Sequence, residues 1–286
     1  MLRAGVAEVW RARSTRVTVA GGLACLVLGV LIFRGAPTDR QRLYFVERLD
    51  DLLGFILTAI ALVVAWTLAA RERHDDFPLL KSSRWRAVLP YAAGRSGAAI
   101  VAYVSVAVAL ATVVELAWLS DAGPLPAQQA VHVAVIAVDA LPVLLAGLWL
   151  GALVQPVAGQ ALALLLVVYA GDAEVDYAHA TLGRLPPGLV ERFVRAEHWF
   201  LPRMLVDPLK LTLLRNEALL VNQVPGDQGP VLWSDQVVLV SSAADLLYVA
   251  AYAVALVLLY ALAVRRRMLW IQSREPLRPF PVSRAG

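Results

Sequence analysis

Three titratable residues lie in or at the ends of apolar stretches of this sequence, where an ionisable side chain is costly to bury and often marks a function. Glu115 follows one apolar run, and His132 and Asp139 lie in the next one. Because His132 and Asp139 are seven residues apart, they share one face of a helix, two turns from each other. The three side chains suit two roles: a relay for protons or substrate, or a set of polar contacts between helices. Because no second titratable residue is expected at the depth of Asp139, polar contacts between helices are favoured.

The sequence contains none of the common motifs for catalysis or nucleotide binding. It has no glycine-rich phosphate-binding loop, and its only lysines, Lys81 and Lys210, are not in glycine-rich segments. The four histidines have no metal-ligand spacing, and the single Cys25 excludes an internal disulfide and a site of several cysteines. We therefore predict no catalytic site, no cofactor and no metal, so that ATP-driven work would need the ATPase of a partner.

The elements that must position these residues are membrane helices. The chain is 59% hydrophobic and only 17% charged, which is typical of membrane proteins. Charge-free runs, each close to the roughly 20 residues that a helix needs to cross a bilayer, occupy residues 17–33, 52–70, 96–114 and 246–264. These runs lack the alternation of barrel strands, so we predict an all-α membrane protein.

A fifth charge-free stretch, residues 140–171, is too long for one span. Gly147, Gly151 and Pro156 near its middle favour a turn between two helices. The prediction is one transmembrane domain over residues 1–286 with six spans. Their approximate limits are 16–34, 51–70, 95–119, 129–150, 153–171 and 245–265, with an extracytoplasmic insertion over 172–244.

Basic residues beside the runs predict the orientation in the membrane. The N-terminus holds four arginines against Glu8 alone, and three arginines at 265–267 follow the last run directly. Residues 34–51 are balanced, with four basic and four acidic side chains, and residues 172–244 are net acidic. Both termini and the loop over 71–95 are therefore predicted to be cytoplasmic. The net charge of +4 follows from this topology and requires no nucleic acid.

The cytoplasmic loop over residues 71–95 is the richest candidate for an interaction. It carries six basic and three acidic side chains between two apolar runs. Apolar side chains are embedded among these charges, which favours a docking site for another protein over a merely solvated loop. At the N-terminus, residues 1–14 place apolar side chains on one helical face and are predicted to form an amphipathic helix at the membrane interface.

The layout of the chain resembles that of ABC-2 type transporter permeases, most closely the subfamily of the nitrous-oxide-reductase maturation permease. The residues that match the family's loop motif, here without its Gly-Thr, are Glu72, the leucine pair Leu79 and Leu80, and Arg84. In the outer insertion, Asp207-Pro208 followed by Arg215 is similar to the family's Asn-Pro and a later arginine. The resemblance extends over essentially the whole chain.

The resemblance implies a mechanism and a set of partners. The loop between spans two and three would form a coupling helix that docks into a cytosolic ABC ATPase present in two copies. Its docking residues would be Glu72, Phe77, Leu79, Leu80, Arg84 and Trp85. The chain would pair with a second permease subunit in the bacterial cytoplasmic membrane, in contact with the lipid bilayer, and the insertion could hold an extracytoplasmic partner protein.

Two other functions remain open at this point. The chain could be an ion-coupled carrier that uses Glu115, His132 and Asp139, although it lacks evident broken helices or an internal repeat. It could also be a non-transporting scaffold whose outer insertion holds a partner. Transport that survives ATP depletion would distinguish the carrier from the ATP-driven permease.

Overall fold

The computed structural model describes residues 2–34, 39–74, 84–122, 127–181, 188–197, 200–201 and 242–274. Over these residues the chain is helical, with no strand. The helices are α1 (Leu2–Arg11), α2 (Arg13–Arg34), α3 (Asp39–His74), α4 (Trp85–Ala122), α5 (Ala127–Leu153), α6 (Pro156–Thr181), α7 (Leu189–Glu197) and α8 (Ser242–Arg274).

Four of these helices are long and apolar enough to cross a membrane. Their apolar segments are Arg13–Leu31, Leu52–Glu72, Trp85–Val113 and Leu247–Trp270, which contain 19, 21, 29 and 24 residues. They overlap the four isolated charge-free runs, so the prediction of an all-helical fold is confirmed over the described residues, with four helices that could span a membrane. Helices α5 and α6 contain the shorter apolar segments Ala140–Leu153 and Pro156–Ala170. The count of six spans stays a prediction.

Several helices extend beyond the apolar runs that predicted them. Helix α3 begins at Asp39 rather than near residue 51, and α4 begins at Trp85 rather than near residue 95. Helix α6 continues to Thr181, past the predicted limit at residue 171. Helical hydrogen bonds join backbone groups and do not require apolar side chains, so a charge-free run sets only a minimum length for its helix.

The charge-free stretch over residues 140–171 is divided into two helices, as predicted. Helix α5 ends at Leu153 and α6 begins at Pro156, where the missing amide hydrogen of proline costs no helical bond. The backbones of the two helices then meet at a pair of glycines. A Cβ atom built on Gly159 would overlap the backbone nitrogen of Gly151. Small residues permit such a close crossing of two helices.

Substituting Gly159 tests the tight crossing of α5 and α6. Gly159→Ala is expected to lower the free energy of unfolding by about 1–3 kcal/mol, because the new methyl group must push the two backbones apart. Thermal unfolding of the purified chain in detergent measures the change. Gly21→Ala is the matched control, since a Cβ atom there meets nothing within 4 Å. Equal midpoints for the two variants would contradict the close backbone contact.

Helix α3 lies at the centre of the bundle and packs against α1, α2, α4, α5 and α6. Its buried face is lined by small and aliphatic side chains, including Ala61, Ala65 and Leu68, which are fully buried. Helix α8 packs against α4 and α5. This arrangement brings the C-terminal end of α3, the N-terminal end of α4 and the C-terminal half of α8 to one end of the bundle.

Helix α1 packs onto the same end of the bundle, mainly against α4. Val9 is buried, and a Cβ atom on Gly5 would lie 2.6 Å from the Cβ of Ala98, so the two helices are in close contact. The predicted N-terminal helix is therefore confirmed over Leu2–Arg11. Its position at a membrane interface stays a prediction.

Candidate functional site

A group of polar side chains, most of them largely buried, lies where α1, α3, α4 and α8 meet. We call it the Glu72 cluster, and it consists of Glu8, Arg71, Glu72, Tyr91, Arg95 and Tyr260. It lies beside the C-terminal end of α3 and the N-terminal end of α4, the two helices that flank residues 75–83. The cluster thus joins the two helices on either side of the predicted docking loop.

Glu72 enters the protein interior because it continues the buried face of α3. Ala61, Ala65 and Leu68 precede it at helical spacing, and Glu72 itself is only 2% exposed. A carboxyl group buried in this way is costly unless donors surround it. Its environment must therefore be built from side chains of other helices.

Three donors from two other helices converge on a single oxygen of Glu72. The Tyr91 hydroxyl donates to Oε1 at 3.1 Å, and the Arg95 Nε donates to the same atom at 3.4 Å. The hydroxyl of Tyr260, from α8, also donates to Oε1. The other oxygen, Oε2, is buried without a hydrogen-bond partner among the described residues. The carboxyl group is thus held on one side only.

Arg95 connects Glu72 to the N-terminal helix. Its Nη1 lies 2.6 Å from Glu8 Oε2, and its Nη2 lies 3.3 Å from Glu8 Oε1, which is the two-pronged geometry that arginine favours with carboxylates. Nη2 also donates to the Leu68 carbonyl at 3.4 Å. Arg71 approaches Glu8 at 3.7 Å, but it is 53% exposed and adds little. Arg95 is therefore the central cation of the cluster.

A separate group of hydroxyls joins α3 to α2. The Thr67 hydroxyl on α3 lies 3.4 Å from the hydroxyls of both Ser14 and Thr15 on α2. Thr15 and Thr67 are buried, so their hydroxyls have little access to water. Polar contacts of this kind join helices in membranes at a modest gain per contact.

The geometry of the cluster suits a mechanical connection between helices. Two carboxyl groups and a central arginine, with two tyrosine hydroxyls, link α1, α3, α4 and α8 through short polar contacts. Buried ion pairs contribute little net stability, but in some proteins they select one arrangement of the surrounding helices. Over the described residues, no group of three or more His, Cys, Asp or Glu side chains could hold a metal ion.

The six predicted docking residues differ in their exposure, and three of them lie outside the described residues. Glu72, predicted as a docking residue of the loop, is instead buried inside the bundle, because it lies on the inner face of α3. Arg84 is exposed, and Trp85 is 37% exposed, with the Arg265 guanidinium 4.7 Å from the centre of its ring. The remaining three, Phe77, Leu79 and Leu80, lie outside the described residues.

The other predicted residues cannot be assigned to a site by the described part of the chain. Glu115 is in α4, and His132 and Asp139 are in α5, but their side chains lie outside the description. Asp207, Pro208 and Arg215 also lie outside it. Their predicted roles stay predictions.

No motif in the sequence marks Glu8, Tyr91, Arg95 or Tyr260 as site residues. One signal for two of them is the four-residue spacing of Tyr91 and Arg95, which places both on the face of α4 that continues to the buried Ala98 and Ala102. A buried arginine and tyrosine on one helical face require polar partners, and Glu72 is an acidic residue on the apolar face of the preceding helix, α3.

No protein-family model, curated protein or solved structure matches this chain. The residues themselves and the contacts of the Glu72 cluster are therefore the basis for a functional proposal.

Proposed function

We propose that this chain is the membrane-spanning permease subunit of an ATP-driven ABC transporter of the ABC-2 type. It has six spans, with both termini in the cytoplasm of a bacterial cell. It works with a separate cytosolic ATPase in two copies and with a second permease subunit, and it moves its substrate out across the cytoplasmic membrane.

The observation that supports this proposal best is the attachment of α3 and α4 to each other and to the rest of the bundle. Glu72 at the end of α3 contacts Tyr91 and Arg95 near the start of α4, so the helices on either side of residues 75–83 are joined. A loop that transmits force needs ends that move together, because force on independently mobile ends would be lost as local bending.

The same contacts provide a route from the loop to the spans. Tyr260 joins Glu72 to α8, and Arg95 joins it to Glu8 on α1. In the proposed mechanism, closure of the two ATPases displaces the docking loop, and α3 and α4 move with it as a unit. Glu72 acts inside the bundle as the link, while Phe77, Leu79 and Leu80 form the apolar docking surface, with Arg84 and Trp85 at its edge.

Substitutions in the loop test the docking step. Leu79→Asp and Leu80→Asp are each expected to abolish association with the ATPase, because a charge would replace an apolar side chain in the contact. The measurement is affinity purification of the tagged chain from host membranes in a mild detergent. Mass spectrometry then searches the purified fraction for a soluble protein with a phosphate-binding loop, and ATP hydrolysis is assayed in parallel.

Leu189→Asp is the matched control, because Leu189 on α7 is 84% exposed and lies in the predicted outer insertion. This variant should retain the ATPase and its activity. Retention of the ATPase by Leu79→Asp would count heavily against docking through the loop. Transport that continues after ATP depletion would favour the ion-coupled carrier instead.

A further inference from the structure

The exposed face of α8 changes from apolar to basic along one line of residues. Val254, Leu258 and Leu262 follow one another at four-residue intervals and are 60%, 49% and 48% exposed. The next position on this line is Arg266, which is also exposed. In a membrane, the apolar part of such a face contacts lipid chains, and an arginine at its end lies at the depth of the headgroups.

The neighbouring Arg265 is held in position by an aromatic ring. Its guanidinium lies 4.7 Å from the centre of the Trp85 ring at the start of α4, a cation–π contact between two helices. Its Nε is buried without a hydrogen-bond partner, and no ion pair joins Arg265 to a carboxylate among the described residues. The carboxylates of Glu8 and Glu72 are bonded to Arg95. The charge of Arg265 thus has no acidic partner in the described part of the chain.

The surroundings of the two arginines fit a lipid better than an acidic protein surface. Leu89 on α4 is 40% exposed, and Leu269 and Trp270 on α8 are 48% and 54% exposed. Exposed aliphatic side chains, tryptophans and arginines together are typical of the boundary between lipid chains and headgroups. A soluble acidic partner would leave these apolar side chains facing water or an imperfectly matched surface.

We propose that Arg265 and Arg266, with Trp85 as the support for Arg265, bind the phosphate of an anionic lipid headgroup at the edge of the bundle. Arg266 faces the lipid directly, and Arg265 approaches the same headgroup from the contact between α4 and α8. The site requires only that the chain is inserted in a membrane. It is independent of the proposed ATP-driven transport and can be tested without a partner protein.

The experiment compares two lipids of equal chain length bound to the purified full chain in a neutral detergent. Native mass spectrometry measures the apparent affinity for phosphatidylglycerol and for phosphatidylcholine. With about a fivefold gain for each arginine, the wild-type chain should prefer the anionic lipid by about 25-fold. Arg265→Gln/Arg266→Gln should abolish this preference, so that the two lipids bind about equally. Arg266→Gln alone should lower the preference from about 25-fold to about fivefold.

The controls separate charge, location and folding. Arg192→Gln/Arg195→Gln removes the same charge from α7 and should keep the full preference. Arg265→Lys/Arg266→Lys keeps both charges and should retain most of the lipid preference. Its far-ultraviolet dichroism should match that of the wild-type chain, which shows that the variant is folded. If the double glutamine variant does not fold, Arg266→Gln, which changes an exposed side chain, still tests the site through its expected reduction of about fivefold.

Four results would overturn the proposal. The first is equal binding of both lipids by the wild-type chain, and the second is full preference in Arg266→Gln. The third is loss of preference in the α7 variant or in the folded lysine variant. The fourth is displacement of phosphatidylglycerol by glycerol phosphate at similar concentration, which would indicate a site for a free phosphate.

Discussion

Arg95→Gln should lower the free energy of unfolding by about 3–5 kcal/mol, because it removes the central cation of the Glu72 cluster and leaves the carboxyl groups of Glu8 and Glu72 without their shared buried cation. Arg95 contacts Glu8 through two nitrogen atoms and Glu72 through a third. For a chain of this size, the thermal midpoint in detergent should fall by on the order of 10 °C. The measurement is thermal unfolding followed by far-ultraviolet dichroism.

Two further variants test whether the loss comes from the unpaired carboxyl groups. Arg71→Gln removes a cation that is 53% exposed and 3.7 Å from Glu8, and its cost should stay below about 1 kcal/mol. The pair Arg95→Gln/Glu72→Gln removes a charge of each sign and should recover part of the loss, as a double-mutant cycle would measure. A loss in the pair equal to the sum of the single losses would show that Arg95 and Glu72 do not interact.

The helical framework could be predicted from the sequence because its cause is local. A run such as residues 52–70 has no charge, and a helix is the structure that satisfies its backbone groups in lipid. The turn between α5 and α6 was also predictable, since Gly151 and Pro156 mark it within a stretch too long for one span. Both inferences need only the residues of the segment itself.

The Glu72 cluster could not be predicted in this way, because its members come from distant parts of the chain. Tyr260 is 188 residues from Glu72, and Glu8 is 87 residues from Arg95. Which helices lie side by side is decided by packing over the whole bundle, and the sequence of one helix does not contain that information. Glu72 is also flanked by two arginines, Arg71 and Arg73, and these charges favoured an accessible position for it in the docking loop.

The spacing of the residues on α3 nevertheless contained a signal for the burial of Glu72. Glu72 lies four residues after Leu68 and seven after Ala65, so it belongs to the apolar face of the helix rather than to the loop that follows. The charges around Glu72 suggested that the end of α3 is solvated, whereas the position of Glu72 on the helical face indicated that its side chain points into the bundle. Helical position prevailed because tyrosine and arginine donors lie on the facing helices.

Replacing Glu72 should distinguish its role as a hydrogen-bond acceptor from its role as a charge. Glu72→Ala is expected to cost about 3–5 kcal/mol, because three buried donors lose their shared acceptor at about 1–3 kcal/mol for each unsatisfied group before relaxation. Glu72→Gln should cost only about 1 kcal/mol, because an amide oxygen can accept the same bonds. Replacing Oε2 with an amide nitrogen breaks no bond among the described residues.

The contrast between these variants follows from the unequal bonding of the two oxygens of Glu72. Tyr260→Phe removes one of the three donors and should cost about 1 kcal/mol, and Glu191→Ala, at an exposed pair on α7, should cost less than that. Thermal unfolding in detergent ranks all four variants. Equal destabilisation by alanine and glutamine would mean that the charge of Glu72, paired with Arg95, holds the cluster together, because the glutamine variant keeps the acceptor and loses only the charge.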